Sequence, residues 1–222
     1  MNLDEAILQL EKVAFQVREA SFADDKTPLK NSLALQNEVR LIESRESEFD
    51  VIVFGDLNGF KSLNDLHGHE TGDIALEIVG ATIQQDFVKQ LEAKAFRRSG
   101  DEFIILLAQK KLAKFKKATA NFSSIAFSHK GKKLEAKMSF GVVISDGKTD
   151  FSDLLERAEI ACSVAKIKGH GASVVWSEDT EREASKEFRR KCDHCGSTNR
   201  CNVPNKHEPK DILTCSFCET RF

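Results

Sequence analysis

The sequence predicts an α+β fold in which helices pack on a mainly antiparallel sheet, with a small separate domain near the end of the chain. From Phe49 onward, apolar strand-like runs alternate with helical patterns in the order β-α-β-β-α-β, with one further helix and strand. Two of these strands are joined by a very short turn, which is typical of a hairpin. Five of the six cysteines lie from Cys192 onward. The order of elements fits a ferredoxin-like palm, and the cysteines indicate a second unit held by a metal.

Two helices are predicted before the first strand. The first, in residues 1–22, carries an apolar heptad seam of Leu3, Ile7, Leu10, Ala14 and Val17. A seam this short is compatible with packing on its own domain and with a dimer contact. A polar stretch at 21–26 separates this helix from a second one at about 31–47.

The later elements follow from apolar runs bounded by turn residues. In chain order they are a strand at 49–54, a helix at 73–90, strands at 95–98 and 102–107, a lysine-rich helix at 109–121, a strand at 136–144, a helix at 151–168 and a strand at 173–176. We therefore predict a palm domain at 24–177, a polar linker at 178–190 and a small cysteine-rich domain at 191–222.

Composition excludes several classes of protein. The net charge of -2 gives no global attraction to nucleic acid or to an anionic membrane. No apolar run reaches the roughly 20 residues that a membrane span needs. The first residues carry acids and a helical pattern, whereas a signal peptide has a basic start and an apolar block. We expect a cytoplasmic protein without a membrane partner.

Two acidic residues are the first candidates for chemistry. Asp56 ends an apolar strand, and Asp101 lies in the turn Ser99–Glu102 between two other strands. Gly100 allows that turn a positive φ or a close approach to a ligand. If the hairpin flanks the first strand, the two carboxylates converge and repel each other unless a cation lies between them, which predicts a Mg²⁺ site. Lys61 follows near a helix start, a favourable position for binding phosphate.

These segments resemble the GGDEF family of diguanylate cyclases, whose pattern is DxDxFKxxND, then GH, GD and the GG[D/E]EF turn. The resemblance covers about residues 24–176, with a weakened match to the family's entry segment at 27–31 and matches to its closing part at 139–142 and 158–169. The matching positions are Asp56, Phe60, Lys61, Asn64, Asp65, Gly68, His69, Gly72, Asp73, Gly100, Asp101, Glu102 and Phe103.

The resemblance implies a role for each matched residue. Asp56, the Leu57 carbonyl and Asp101 would bind Mg²⁺ or Mn²⁺, and Asp101 would also activate a ribose 3′-hydroxyl. Lys61 would stabilise charge on the phosphates during catalysis. The implied contacts to GTP come from Asn64 and Asp73 at the guanine edge, with Phe60, His69, Gly100, Lys166 and His170 completing the substrate site.

The resemblance also implies the reaction. Two GTP would be joined into cyclic di-GMP with release of pyrophosphate, by in-line attack on an α-phosphate. One domain holds one GTP, so a homodimer is implied. Two alternatives stay open: a silent domain that only binds GTP or a cyclic dinucleotide, and a related palm cyclase that prefers another base. Taken singly, Asp73 could also be a helix cap, Asn64 a turn residue and Lys61 a solvated charge.

Several positions depart from the family pattern. Ser99 replaces the first glycine of the signature turn, a small change that we expect to be tolerated. Asn58 replaces the second aspartate of the first motif, and Gly59 replaces an apolar or aromatic residue. His170 stands in place of a phosphate-binding arginine, Ser163 of a tyrosine and Ser32 of an arginine. Gln90 and Ala93 occupy the positions of the product-inhibition motif RxxD, so we expect that form of feedback to be absent.

The terminal cysteines predict a structural Zn²⁺ site. Two CxxC pairs, Cys192–Cys195 and Cys215–Cys218, can each present two thiolates, which completes a tetrahedral site without an open position. A domain this small depends on its metal for folding energy. A redox disulfide is the less favoured alternative. Basic residues near the start of this zinc ribbon could contact a protein or a nucleic acid, with a protein or dimer-organising role slightly favoured.

Overall fold

The computed structural model describes residues 3–169 and 171–180, Ala184, and four short stretches at 190–191, 198–199, 201–202 and 214–215. Within these residues, no helix combines the length and the apolar character that crossing a membrane requires.

Two helices form the start of the chain. Helix α1 covers Leu3–Ser21, and its apolar side chains point largely to solvent, with Leu10 70% and Val17 64% exposed. Helix α2 covers Ser32–Glu43 and begins where the Asn31 side chain accepts a hydrogen bond from the N–H of Ala34. It is shorter than predicted because Arg45 takes a left-handed φ of 61°.

A five-stranded sheet forms the centre, in the order β2-β3-β1-β6-β7. Neighbours are antiparallel except β6 and β7, which run parallel. The predicted α+β palm is therefore confirmed. The strands are β1 (Val51–Leu57), β2 (Lys94–Ser99), β3 (Glu102–Leu107), β6 (Met138–Ile144) and β7 (Ser173–Val175).

Helices cover both faces of the sheet, because alternate residues of each strand point to opposite sides. One face, with Val51 and Val53, packs on a cluster that contains Phe87, Phe115 and Phe140. The opposite face packs on α2 and α6. The remaining helices are α3 (Phe60–His67), α4 (His69–Ile83), α5 (Leu112–Ala118) and α6 (Phe151–Lys168).

The middle of the chain differs from the prediction in detail. Helix α4 starts at His69 rather than Asp73, because Gly68 with φ 86° separates it from α3, and it continues as a wider π-helical turn over Gln84–Lys89. The lysine-rich helix is reduced to α5, with 3₁₀ turns at Gln109–Lys111 and Thr119–Phe122.

A separate hairpin of β4 (Ile125–His129) and β5 (Lys132–Ala136) was not predicted. Its second strand is rich in lysine and only half-buried at Leu134, so the alternation that marks a strand is weak there. The strand predicted at 136–144 corresponds to the whole of β6 together with Ala136, the last residue of β5.

The terminal region is described only in part. Four two-residue strands, β8 to β11, cover Arg190–Lys191, Thr198–Asn199, Cys201–Asn202 and Thr214–Cys215. Cys215 pairs with Cys201 through the backbone. Cys192, Cys195 and Cys218 lie outside the described residues, as does most of the predicted linker at 178–190. The predicted Zn²⁺ site therefore stays a prediction.

Candidate active site

The central strand β1 delivers Asp56 to one edge of the sheet. Val51–Gly55 are buried, whereas Asp56 is only partly buried. In the strand register, Asp56 lies between Glu102 on β3 and Ser139 on β6. The apolar part of the strand fixes its position in the core, so the carboxylate emerges where the core ends.

The turn between β2 and β3 folds over the same edge. Gly100 has a φ of 49°, as the sequence predicts for this turn. The backbone N–H of Leu57 donates a hydrogen bond to the carbonyl of Asp101, at 3.2 Å. This bond fixes the turn against the end of β1 and brings Asp56 and Asp101 to one end of the sheet.

The carboxylates interact electrostatically. Burial, and after it the charge of Asp56, raise the pKa of Asp101 from 3.8 to about 6. Lys166 on α6 places its Nζ 2.6 Å from Asp56 Oδ1. Burial of this ammonium opposes its charge, but the Asp56 carboxylate outweighs burial and the pKa of Lys166 is raised. A cationic group is therefore held on the acid at the end of β1.

This donor set suits a hard divalent cation. Two carboxylates that raise each other's affinity for a positive charge are the ligands that Mg²⁺ prefers. Burial, and after it the charge of Asp56, oppose the ionised form of Asp101, which a cation bound beside it would favour. The residues present at this edge of the sheet therefore fit a bound metal.

A second group lies where α3 meets α4. The side-chain Oδ1 of Asn64 is buried and accepts no hydrogen bond from the described part of the chain. It lies against Gly72, where an added Cβ would be only 2.0 Å from that oxygen. Because Gly72 has no side chain, the Asn64 amide can lie against α4 at the residue that precedes Asp73.

Asp73 is already in contact with a cation. Nζ of Lys26 lies 2.6 Å from Asp73 Oδ2, and both side chains are nearly half exposed. Asp73 lies beyond the first turn of α4, since the helix begins at His69. The interpretation of Asp73 as a helix cap is therefore wrong.

Other predicted site residues surround these two groups. Phe60 begins α3 and packs on the core, and Lys61 follows it with an exposed side chain. His69 is the exposed first residue of α4. His170 lies outside the described residues.

Two departures from the family pattern have local roles. Gly59 precedes α3 with a φ of 71°, a left-handed conformation that favours glycine. The Asn58 side chain donates a hydrogen bond to the Ser139 hydroxyl at 2.9 Å, and its backbone N–H donates to the Lys137 carbonyl at 2.8 Å. Asn58 thus fixes the end of β1 to β6.

The signature turn is tied to α6 by residues that the sequence reasoning missed. Arg98 lies 2.5 Å from Glu159 on α6 and 3.6 Å from Glu102. The hydroxyl of Ser99 donates to Glu102 at 3.0 Å. Arg98 and Glu159 carry no local signal because they are 61 positions apart in the chain. Lys26 was missed for the same reason, since its partner Asp73 is 47 positions away.

Comparison with known proteins identifies the family. Residues 21–172 match the family described as "Diguanylate cyclase, GGDEF domain". The chain belongs to this family. It is 29% identical over 137 residues to the diguanylate cyclase DosC of Escherichia coli, covering 54% of this chain and 27% of that protein. An uncharacterized protein of Streptomyces griseus is 39% identical over 107 residues, covering 46% of this chain and 43% of that protein.

Solved structures of GGDEF proteins share the fold. The diguanylate cyclase SiaD of Pseudomonas aeruginosa, solved with its activator SiaC, gives a TM-score of 0.68 at 23% identity, over 78% of this chain and 68% of that one. The coiled coil and GGDEF domain of DgcB from Caulobacter crescentus, solved with c-di-GMP, gives a TM-score of 0.66 at 21% identity. The match covers 78% of this chain and 94% of that one. The GGDEF chain spans less than half the length of the curated relatives named above.

Proposed function

We propose that this GGDEF protein is an active diguanylate cyclase that condenses two GTP into cyclic di-GMP with release of pyrophosphate, in a Mg²⁺-dependent reaction. One observation carries the proposal. Asp56 and Asp101 come together at the end of β1, and their proximity with burial raises the pKa of Asp101 to about 6. A carboxylate with this pKa is ionised at neutral pH and is still basic enough to accept a proton.

Asp101 has two roles in this proposal. It accepts the proton of a ribose 3′-hydroxyl as that oxygen attacks the α-phosphorus of a second GTP, and the bond to the departing pyrophosphate breaks as the new ester forms. Asp56, the Leu57 carbonyl and Asp101 would hold Mg²⁺ or Mn²⁺, which supplies charge neutralisation to the phosphates.

The basic residues at this edge assist the charged substrate. Lys166, whose Nζ contacts Asp56, would turn to the phosphates, and Lys61 at the start of α3 would stabilise their charge. Gly100 lets the turn backbone approach the substrate, because its φ of 49° suits glycine and, among the described residues, no atom lies within 4 Å of an added Cβ.

The base would be recognised at the junction of α3 and α4. Guanine presents an N1–H and an amino group, both donors, and the acceptors available at this junction are Asn64 Oδ1, which lies against Gly72, and the carboxylate of Asp73, the next residue of α4. The buried Asn64 oxygen would gain a partner that the described residues do not give it, which favours binding because an unsatisfied buried acceptor costs free energy. Phe60 and His69 would complete this subsite.

The reaction needs two copies of the chain. Each domain would hold one GTP, so two domains must face each other as a homodimer. Helix α1 supplies exposed apolar side chains for such a contact, and the DgcB structure named above includes a coiled coil. A second copy is therefore the partner that we propose for α1.

Product analysis tests the proposal. Purified protein is incubated with MgCl₂ and either GTP or ATP, and the nucleotide products are identified. Cyclic di-GMP from GTP alone is expected, with turnover abolished in Asp101→Ala. GTP binding without product would favour the silent sensor, and product from ATP would favour a cyclase with another base preference.

The ribbon and the cellular location are separate proposals. One structural Zn²⁺ would be held by Cys192, Cys195, Cys215 and Cys218. The ribbon formed around this metal would contact a protein or a nucleic acid. The whole protein would be cytoplasmic. Zinc content measured on the purified chain tests the site: one Zn²⁺ per chain is expected, and loss of the metal in Cys192→Ser. A chain without zinc that contains a disulfide would support the redox alternative.

A further inference from the structure

The segment before α2 holds a lysine over the acid proposed to bind the base. The Asp24 carboxylate, only 9% exposed, accepts hydrogen bonds from the backbone N–H groups of Lys26 and Thr27 at 3.2 and 2.9 Å. The guanidinium of Arg97 on β2 lies 3.2 Å from the same carboxylate. The turn is therefore anchored to the sheet at Asp24.

The same turn packs on α4. Thr27 is buried, and its Cβ lies where an added Cβ at Gly80 would be only 2.6 Å away. The backbone of Lys26 is thus fixed above α4, between Asp24, which is anchored to the sheet, and Thr27, which is packed on the helix. Its ammonium lies 2.6 Å from Asp73 Oδ2, and the Asp73 carboxylate raises the pKa of Lys26.

Lys26 and guanine need the same atoms of Asp73. A lysine ammonium has three donors and no acceptor, and the guanine edge approaches a carboxylate with two donors. The Lys26 ammonium therefore cannot hydrogen-bond to the two donors of guanine. It also covers Oδ2 of Asp73, one of the two carboxylate oxygens that the base would use. Because the ion pair is nearly half exposed, it is weak enough to be exchanged.

We propose that Lys26 determines the guanine affinity of this site by competing with the base for the Asp73 carboxylate. The inference rests on the proposed function, since it takes the ligand of Asp73 to be the base of GTP. Lys26 is a specificity-determining residue in this scheme: it lowers affinity for a guanine nucleotide and leaves affinity for an adenine nucleotide unaffected.

The sign of the effect makes the proposal testable. Removing a cation from a surface that binds a triphosphate ordinarily weakens binding, because the ligand is a polyanion. Competition predicts the opposite for Lys26→Met, which keeps the length of the side chain and removes its charge. Exposed ion pairs are weak, so the expected gain in guanine affinity is about 1.4- to 5-fold.

The experiment is equilibrium binding of the α,β-methylene analogues of GTP and ATP, in which the bond that breaks during cyclisation is replaced. Five forms of the full chain are compared: wild type, Lys26→Met, Lys30→Met, Asp73→Ala, and Lys26→Met combined with Asp73→Ala. Lys30 is the matched control because it is exposed on the same segment, whereas Lys26 is the lysine that contacts Asp73. Asp73→Ala alone provides the reference for the double variant.

Competition predicts that Lys26→Met binds the GTP analogue more tightly than wild type and the ATP analogue no more tightly. Lys30→Met should show no gain in affinity for the GTP analogue. The gain from Lys26→Met should disappear when Asp73 is replaced by Ala. Unchanged or weaker GTP-analogue binding in Lys26→Met overturns the inference, as does an equal gain for both analogues. In those cases the proposed function stands, because wild type still binds and cyclises GTP. A wild-type chain that does not bind the GTP analogue overturns both.

Discussion

Nζ of Lys166 lies 2.6 Å from Oδ1 of Asp56, so the acid at the end of the central strand is paired with a cation from α6. Both side chains are mostly buried, with 29% of Lys166 and 18% of Asp56 exposed. Asp101 is close enough for the Asp56 charge to raise its pKa. The ion pair with Lys166 therefore reduces the repulsion between the two carboxylates.

Replacing Lys166 with Met should destabilise the fold and make it depend on Mg²⁺. Loss of one partner of a mostly buried pair leaves an uncompensated carboxylate, which costs about 1–3 kcal/mol. A divalent cation bound by Asp56 and Asp101 would offset that repulsion, so MgCl₂ should raise the melting temperature of Lys166→Met more than that of wild type.

Thermal unfolding with and without MgCl₂ measures this effect. Lys117→Met, which removes an exposed lysine on α5, is the control for loss of charge alone. An equal Mg²⁺ effect in all three proteins would show that the carboxylates do not form the proposed metal site.

Turnover should fall at acidic pH because Asp101 must be ionised to accept a proton. The pKa of this carboxyl is raised to about 6, first by burial and then by the charge of Asp56. Below that pKa the ionised fraction decreases about tenfold per pH unit. Pyrophosphate release measured from pH 5 to 8 at GTP concentrations well below KM, where the rate reports the pKa values of the free enzyme, should therefore decline on the acid side. A rate that is constant down to pH 5 under these conditions would argue against Asp101 as the base.

The same residue should lower stability at neutral pH. The pKa of Asp101 is higher in the folded protein than the ordinary value of 3.8, so its ionised form destabilises the fold at pH values above about 6. Below pH 3.8 the carboxyl is protonated in both states and the effect is absent. Asp101→Asn should therefore raise the free energy of unfolding by about 1–2 kcal/mol at pH 8.

Urea unfolding at pH 8 and at the lowest pH where the fold persists would measure that difference. The increase in the free energy of unfolding that Asp101→Asn gives over wild type should shrink as the pH falls below about 6. A variant that is both inactive and no more stable than wild type at pH 8 would contradict the assigned pKa shift.

The sequence was informative where interactions are local. Strand β1 is a continuous apolar run that ends in Asp56, and the hairpin of β2 and β3 closes through a two-residue turn, so both acids could be placed at one edge of the sheet. Strand β5 could not be recognised, because lysines interrupt its apolar alternation. Lys26 could not be assigned to Asp73, because only the folded chain brings these exposed residues together.

Restoring the family glycine at Ser99 should change little. The Ser99 hydroxyl donates one hydrogen bond to Glu102, and Arg98 also holds Glu102. Loss of one exposed hydrogen bond costs about 0.5–1.5 kcal/mol at most. We expect Ser99→Gly to stay within about tenfold of wild-type turnover, since 1.4 kcal/mol is tenfold in rate. A loss of more than tenfold would give the hydroxyl a role in catalysis.

Gly72 should be required for the base site because Asn64 occupies the space beside it. An added Cβ would lie 2.0 Å from Asn64 Oδ1, so Gly72→Ala must displace that amide. Overpacking of this kind costs about 1–3 kcal/mol. We expect lower stability together with weaker binding of the α,β-methylene analogue of GTP.

A double-mutant cycle with Asn64→Ala separates the clash from other effects of the methyl group. Asn64→Ala removes the atoms that the methyl group would strike, so adding Gly72→Ala to it should cost little further stability. Both single variants should bind the GTP analogue weakly, since each removes or displaces the Asn64 oxygen. If Gly72→Ala is equally destabilising with and without Asn64, the strain arises elsewhere in α4 and the close approach of these two residues does not shape the site.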